Sequence, residues 1–153
     1  MERKTLMRVK DIMRSPAITI REHATLREAV TSLRNHRISG MPVLDSNEDL
    51  VGIVTERDII GALMPTYKDI ISTDANVHEN ALLDNRTAEM RRSPISEIMN
   101  KQVFTLDEDD SILKAASMML MRRVKILPVT AGSKVIGIVA RIDILSSLIQ
   151  DES

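Results

Sequence analysis

Residues 52–59 read GIVTERDI, and residues 137–144 read GIVARIDI. Gly, Ile, Val, Asp and Ile keep their places, while Thr55 gives way to Ala140. A recurrence at fixed spacing signals an internal repeat, and a repeat constrains the fold more than any single motif.

The repeat extends upstream. RVKDIMRSPAITIREHATLREAV (8–30) lies over PISEIMNKQVFTLDEDDSILKAA (94–116), matching Ile12 to Ile98, Met13 to Met99, Thr19 to Thr105, Glu22 to Glu108 and Ala29 to Ala115. The offset of 86 holds through Pro42 and Pro128 and falls to 85 by Gly52 and Gly137. The lost residue lies between LDSNEDL and TAGSKV, turn-like stretches where a deletion costs little.

Each copy predicts the same elements. AITI and VFTL read as short strands. A helix follows, capped by Thr25 or Ser111, with apolar residues at helical spacing: Leu26, Ala29, Val30 and Leu33, then Ile112, Ala115, Ala116 and Met119. PVLD and PVTA read as strands with Pro first, where a missing N–H is tolerated. LVGIVTE and KVIGIVA read as buried strands, and RDIIGALM and RIDILSSLI as closing helices. The unit is β-α-β-β-α, twice, in the α/β (α+β) class. The expected divisions are repeat 1 at 1–64, a partly helical linker at 65–93 and repeat 2 at 94–153. NALLDNRTAEMRR predicts the linker helix, capped by Asn80, and TYKDIISTDANVHE reads as spacer, interface or lid.

Composition sets outer limits. Hydrophobic residues are 43% and charged residues 28%, a globular balance, and with aromatics at 1% the core must be aliphatic and Met-rich. The net charge of −1 gives no bulk attraction to nucleic acid or acidic membranes. Without Cys, disulfides and thiolate metal sites are excluded. The start, MERKTLMRVKDIM, lacks the apolar run of a signal peptide, and no segment approaches a membrane span, so the expected compartment is the cytoplasm. His23, His36 and His78 have no metal-ligand spacing, and there is neither a Gly-rich phosphate loop nor G-x-S-x-G. No catalytic residue, metal site or required cofactor is expected, so an enzyme is not. Arg91–Arg92 and Arg122–Arg123 are basic pairs, but no stacking aromatics accompany them to read single strands.

Two β-α-β-β-α units, each with a D/E-I-M opening, an apolar-P-V strand and a G-I-V-x-x-x-D-I ending, resemble a tandem CBS-domain pair over roughly residues 8–64 and 94–150. The resemblance implies two units packed sheet to sheet about a pseudo-twofold axis, with two related clefts at their junction. It implies adenosine ligands there (AMP, ADP or ATP, with S-adenosylmethionine as an alternative), a disc-like homodimer, and a sensor acting on an effector protein that the sequence does not name. With no effector domain attached, output is expected to pass through that partner. The rival is a CBS scaffold with empty clefts.

The resemblance also implies residues. The family's ribose-binding ending, G-h-h-T/S-x-x-D, is met in full by GIVTERD (52–58). A carboxylate can accept hydrogen bonds from both hydroxyls of a ribose diol, and the Thr55 hydroxyl is a further contact. The expected first site is Thr55 and Asp58 with Arg57, Ile18, Thr19, Ser39, Gly40, Met41 and Pro42. The expected second, weaker site is Asp143 and Ala140 with Arg141, Phe104, Thr105, Lys125, Ile126, Leu127 and Pro128. Arg37, Arg122 and Arg123 are further phosphate candidates. Each Asp has a structural reading beside the functional one, an acidic residue favoured at a helix N-terminus. Met41 and Leu127 likewise read as core as readily as purine cover. Which copy supplies the base-binding strand to which Asp is left open.

Overall fold

The computed structural model describes residues 7–64 and 75–149, with 75–80 as backbone only. In chain order the elements are α1 (Val9–Ile12), β1 (Ile20–Arg21), α2 (Leu26–His36), β2 (Gly40–Leu44), β3 (Leu50–Thr55), α3 (Glu56–Leu63) and α4 (Ala75–Met90). After a 3-10 turn at Ile95–Glu97 come β4 (Leu106–Asp107), α5 (Ile112–Arg122), β5 (Ile126–Ala131), β6 (Lys134–Ala140) and α6 (Arg141–Ile149). Each copy makes a three-stranded sheet, ordered β1-β2-β3 or β4-β5-β6, with the first pair parallel and the second antiparallel. The fold is the double β-α-β-β-α unit with paired sheets.

The caps form as the sequence predicts. Thr25 Oγ1 accepts the Glu28 N–H, and Ser111 Oγ accepts that of Lys114, satisfying donors that the first helical turn leaves unpaired. The strands differ at one point. β2 and β5 begin two residues before Pro42 and Pro128, and β1 and β4 are shorter and later than AITI and VFTL. The prolines explain this. Ile53 turns its N–H and C=O outward to Asn100 (2.9 and 2.8 Å), so its cross-strand partner Pro42 faces its nitrogen toward β1. Pro42 has no N–H to offer there, and the β1 ladder starts opposite Val43. Ile138, Arg14 and Pro128 repeat the arrangement, with β4 starting opposite Val129.

The openings exchange partners. Val9 and Lys10 donate backbone N–H to Asp110 and Glu108 of the second copy, and Ile95 and Ser96 donate to Ala24 and Glu22 of the first. Val9 packs with Leu106, Ala115, Leu127, Val129 and Val139; Ile95 packs with Leu26, Ala29, Met41, Val43 and Val54. Each D/E-I-M segment therefore completes the core of the other copy. This explains the repeated glycine. A Cβ on Gly52 would lie 2.5 Å from Met99 Sδ, and one on Gly137 would lie 2.7 Å from Met13 Sδ.

Helix α4 starts at Ala75, ahead of Asn80, so Asn80 lies inside the helix and is not its cap. Arg86 Nε donates to the carbonyl of Ala62 at 3.0 Å, holding α4 beside α3. Residues 65–74, most of the segment read as spacer or lid, lie outside the described residues. Among the described residues, no helix is long and apolar enough to cross a membrane.

Candidate functional site

Two clefts open at the junction of the copies, related by the repeat. The first, about 320 Å³, is lined from copy 1 by Ser39, Ile53, Thr55, Glu56, Arg57 and Asp58, and from copy 2 by Asn100 and the run Arg122–Ile126. The second, about 430 Å³, is lined by Ile138, Ala140 and Ile142 from copy 2 and by Arg14, Pro16, Ile18 and the run His36–Gly40 from copy 1, with Ile126 reaching in.

The geometry answers which strand faces which Asp. Each closing helix looks across at the other copy's entry to its second strand. The expected groupings by single copy are therefore corrected: Lys125 lines the cleft of Asp58, and Ile18 and Gly40 line the cleft of Ala140. Ser39 and Ile126 sit near the axis and touch both. Four expected residues are interior. Met41 and Leu127 are 0% and 1% exposed, and Pro42 and Pro128 are fully buried; neighbouring residues of a strand point to opposite faces, so both faces of these central strands are covered. Thr19, Thr105, Phe104 and Arg141 line neither cleft. Phe104 instead carries the Arg122 guanidinium 4.3 Å above its ring. The smallness of Gly40 serves the junction, since a Cβ there would meet Ile126 Cδ1 and Thr55 Cγ2 at 2.9 Å.

Thr55 and Asp58 form a reciprocal cap at the start of α3. Thr55 Oγ1 accepts the Asp58 N–H at 3.3 Å, while the Thr55 N–H and hydroxyl both donate to Asp58 Oδ2 at 2.9 Å. The hydroxyl proton is thus engaged, and Thr55 orients the carboxylate instead of offering a donor to a ligand. Asp58 Oδ1 has no hydrogen-bond partner among the described residues, and Asp58 is half-buried on the cleft wall. One oxygen of this cleft-lining carboxylate, with two acceptor positions, is not engaged by Thr55. Opposite stand Arg122, Arg123 and Lys125, all exposed, with Arg57 alongside.

The second cleft is built differently. Ala140 supplies only its N–H to Asp143 Oδ2, at 2.8 Å. The work of the missing hydroxyl falls to Arg14, whose Nε donates to Asp143 Oδ1 at 3.0 Å while Nη2 forms an ion pair with the same oxygen, also at 3.0 Å. Arg14 lies on the cavity wall and Asp143 behind it, 13% exposed. The sequence reading passed over Arg14, which looks like a surface residue at the end of a short helix. Its repeat position, equivalent to Asn100, was the available signal.

Among the described residues, no three His, Cys, Asp or Glu side chains are grouped to hold a metal. Comparison with known proteins places this arrangement. The CBS domain family matches residues 9–65 and 95–150. Protein MJ1426 of Methanocaldococcus jannaschii is 30% identical, over 94% of this chain and 92% of its own. A CBS domain-containing protein of Dictyostelium discoideum is 31% identical, over 93% and 91%. An A-adding tRNA nucleotidyltransferase of Aquifex aeolicus is 26% identical, but this chain spans only 15% of it. Among solved structures, the CBS domain pair of protein MJ0100, in complex with 5′-methylthioadenosine and S-adenosyl-L-methionine, superposes with TM-score 0.74 at 26% identity, covering 97% of this chain and all of that one. Two matched domains on this doubled fold make the chain a member of the CBS-domain family, carrying the domain as a tandem pair.

Proposed function

We propose that this CBS pair is a regulatory module that binds an adenosine nucleotide in the first cleft. The observation that carries the reading is Asp58, whose carboxylate is held by Thr55 through Oδ2 alone, in a cleft shared with Arg122, Arg123 and Lys125 of the other copy. A ribose diol supplies two donors for that oxygen. Arg57, Arg122, Arg123 and Lys125 outnumber Glu56 and Asp58 in the cleft, which favours phosphate-bearing AMP, ADP or ATP over a cationic sulfonium such as S-adenosylmethionine. The adenosine-containing ligands of the MJ0100 pair support the class.

The ligand bridges both copies, so binding shifts their arrangement only by its differential affinity for the alternatives. A homodimer would carry that shift outward. Leu113 and Leu120 on α5 and Leu145, Leu148 and Ile149 on α6 are exposed apolar residues suited to assembly. The partner reading the change is an effector protein, in the cytoplasm.

Titration calorimetry with AMP, ADP, ATP and S-adenosylmethionine tests the reading. One nucleotide should bind, with salt sensitivity from phosphate contacts. Asp58→Ala should lose at least about tenfold in affinity while the fold, checked by thermal melting, survives. An unchanged dissociation constant would remove the ribose role. Silence to all four ligands would favour a scaffold.

A further inference from the structure

The two clefts carry the same carboxylate in different states, through two exchanges, Thr55 for Ala140 and Asn100 for Arg14. At Asp58, Thr55 fills Oδ2 and leaves Oδ1 open. At Asp143, the Ala140 N–H bonds to Oδ2, and the Arg14 guanidinium covers Oδ1, with Nε donating to it and Nη2 ion-paired beside it, both at 3.0 Å. A diol needs two acceptor positions on the cleft side, but the cavity wall here is Arg14 and not Asp143, whose side chain is 13% exposed. Arg14 is not a loose surface arginine. Its backbone is bonded in both directions to Ile138 at 2.9 and 3.0 Å, and Ser15 Oγ donates to the carbonyl of Ile136 at 2.8 Å. The guanidinium is therefore delivered to Asp143 from a pinned strand edge. The equivalent residue at the first cleft, Asn100, has the same backbone pairing to Ile53. Its side chain is instead turned to its own loop, where Oδ1 accepts the Gln102 N–H at 3.0 Å.

We infer that Arg14 determines which cleft accepts a ribose: by occupying Asp143 it closes the second cleft to diols, leaving one nucleotide site per chain. The inference rests on the ribose reading of Asp58. What remains in the second cleft is Arg14, Arg37 and His36 beside Pro16, Ile18, Ile38, Ile126, Ile138 and Ile142, a cationic and apolar surface without a free carboxylate.

The test exchanges the two residues and titrates each protein with AMP and with 2′,3′-dideoxyadenosine monophosphate. Wild type should bind one AMP per chain. Arg14→Asn should bind two, the second losing about tenfold with the dideoxy probe, the effect of about one charged hydrogen bond. Asn100→Arg should weaken the first site about tenfold. Arg14→Asn with a single site of unchanged affinity, two equal sites in wild type, or Asn100→Arg binding like wild type would each overturn the inference. AMP binding by Arg14→Asn but not by wild type would reject Asp58 and with it the single wild-type site, while showing that Arg14 blocks Asp143. No binding by either rejects both.

Discussion

Gly52→Ala tests the exchanged openings directly. The new Cβ would sit 2.5 Å from Met99 Sδ, 2.9 Å from Met99 Cγ and 3.1 Å from the Asn100 carbonyl oxygen. Comfortable carbon contacts lie at roughly 3.5–4.0 Å, so the sulfur must retreat by about 1 Å. Met99 can rotate, having three flexible bonds. The Asn100 carbonyl cannot give freely, since that residue is bonded both ways to Ile53 at 2.9 and 2.8 Å. Overpacking of this kind costs about 1–3 kcal/mol, partly offset by about 0.4–1 kcal/mol from the stiffer unfolded chain. The expected net loss is about 1–2 kcal/mol in urea unfolding at constant m-value, with each kcal/mol lowering Tm by about 2–4 °C. Combining it with Met99→Ala should recover part of the loss, giving a coupling above about 0.5 kcal/mol in a double-mutant cycle. A Gly52→Ala protein within about 0.5 kcal/mol of wild type, or additive effects in the cycle, would refute the close packing of Met99 on β3.

Two further predictions concern positions away from the clefts. Gly61 lies inside α3 where an added Cβ would meet nothing within 4 Å, so Gly61→Ala should stabilise by about 0.5–1 kcal/mol in the same assay, and destabilisation would contradict the helix. Hydrogen bonds from Lys134 and then Ser133 hold the Asp49 carboxyl below its ordinary value near 3.8, so its stabilisation is present above that pH and is lost as pH falls through the lower folded value. Acid unfolding of Lys134→Gln should therefore depend less steeply on pH below about 4 than that of wild type, and identical profiles would count against the link between the two hairpin tips.

The local chemistry of this fold was legible. Thr25 and Ser111 announced helix starts, KVIGIVA was β6 and RIDILSSLI was α6, each decided by neighbours along the chain. What stayed hidden was pairing between copies. The two openings are near-identical in pattern, so nothing in their periodicity says whether Met13 belongs on Gly52 or Gly137. Space decides it, through the fit of a sulfur onto a missing side chain. The same ambiguity moved Lys125 to the wrong Asp. The partner of the Thr55 hydroxyl was hidden for another reason. Its proton could serve a ligand or the neighbouring carboxylate, and only the 2.9 Å geometry shows the second. Arg14 was missed because its partner lies 129 residues away.

The crossed openings bear on what counts as the smallest folding unit. Copy 1 without Ile95 would leave a hole among Leu26, Met41 and Val54, and copy 2 without Val9 would leave one among Leu106, Leu127 and Val139. Neither copy can close its interior alone, although each is complete as a sequence pattern. The two halves are interleaved like clasped hands, and a nick between them would leave fragments that need each other. Each repeat thus supplies one wall of the other's interior.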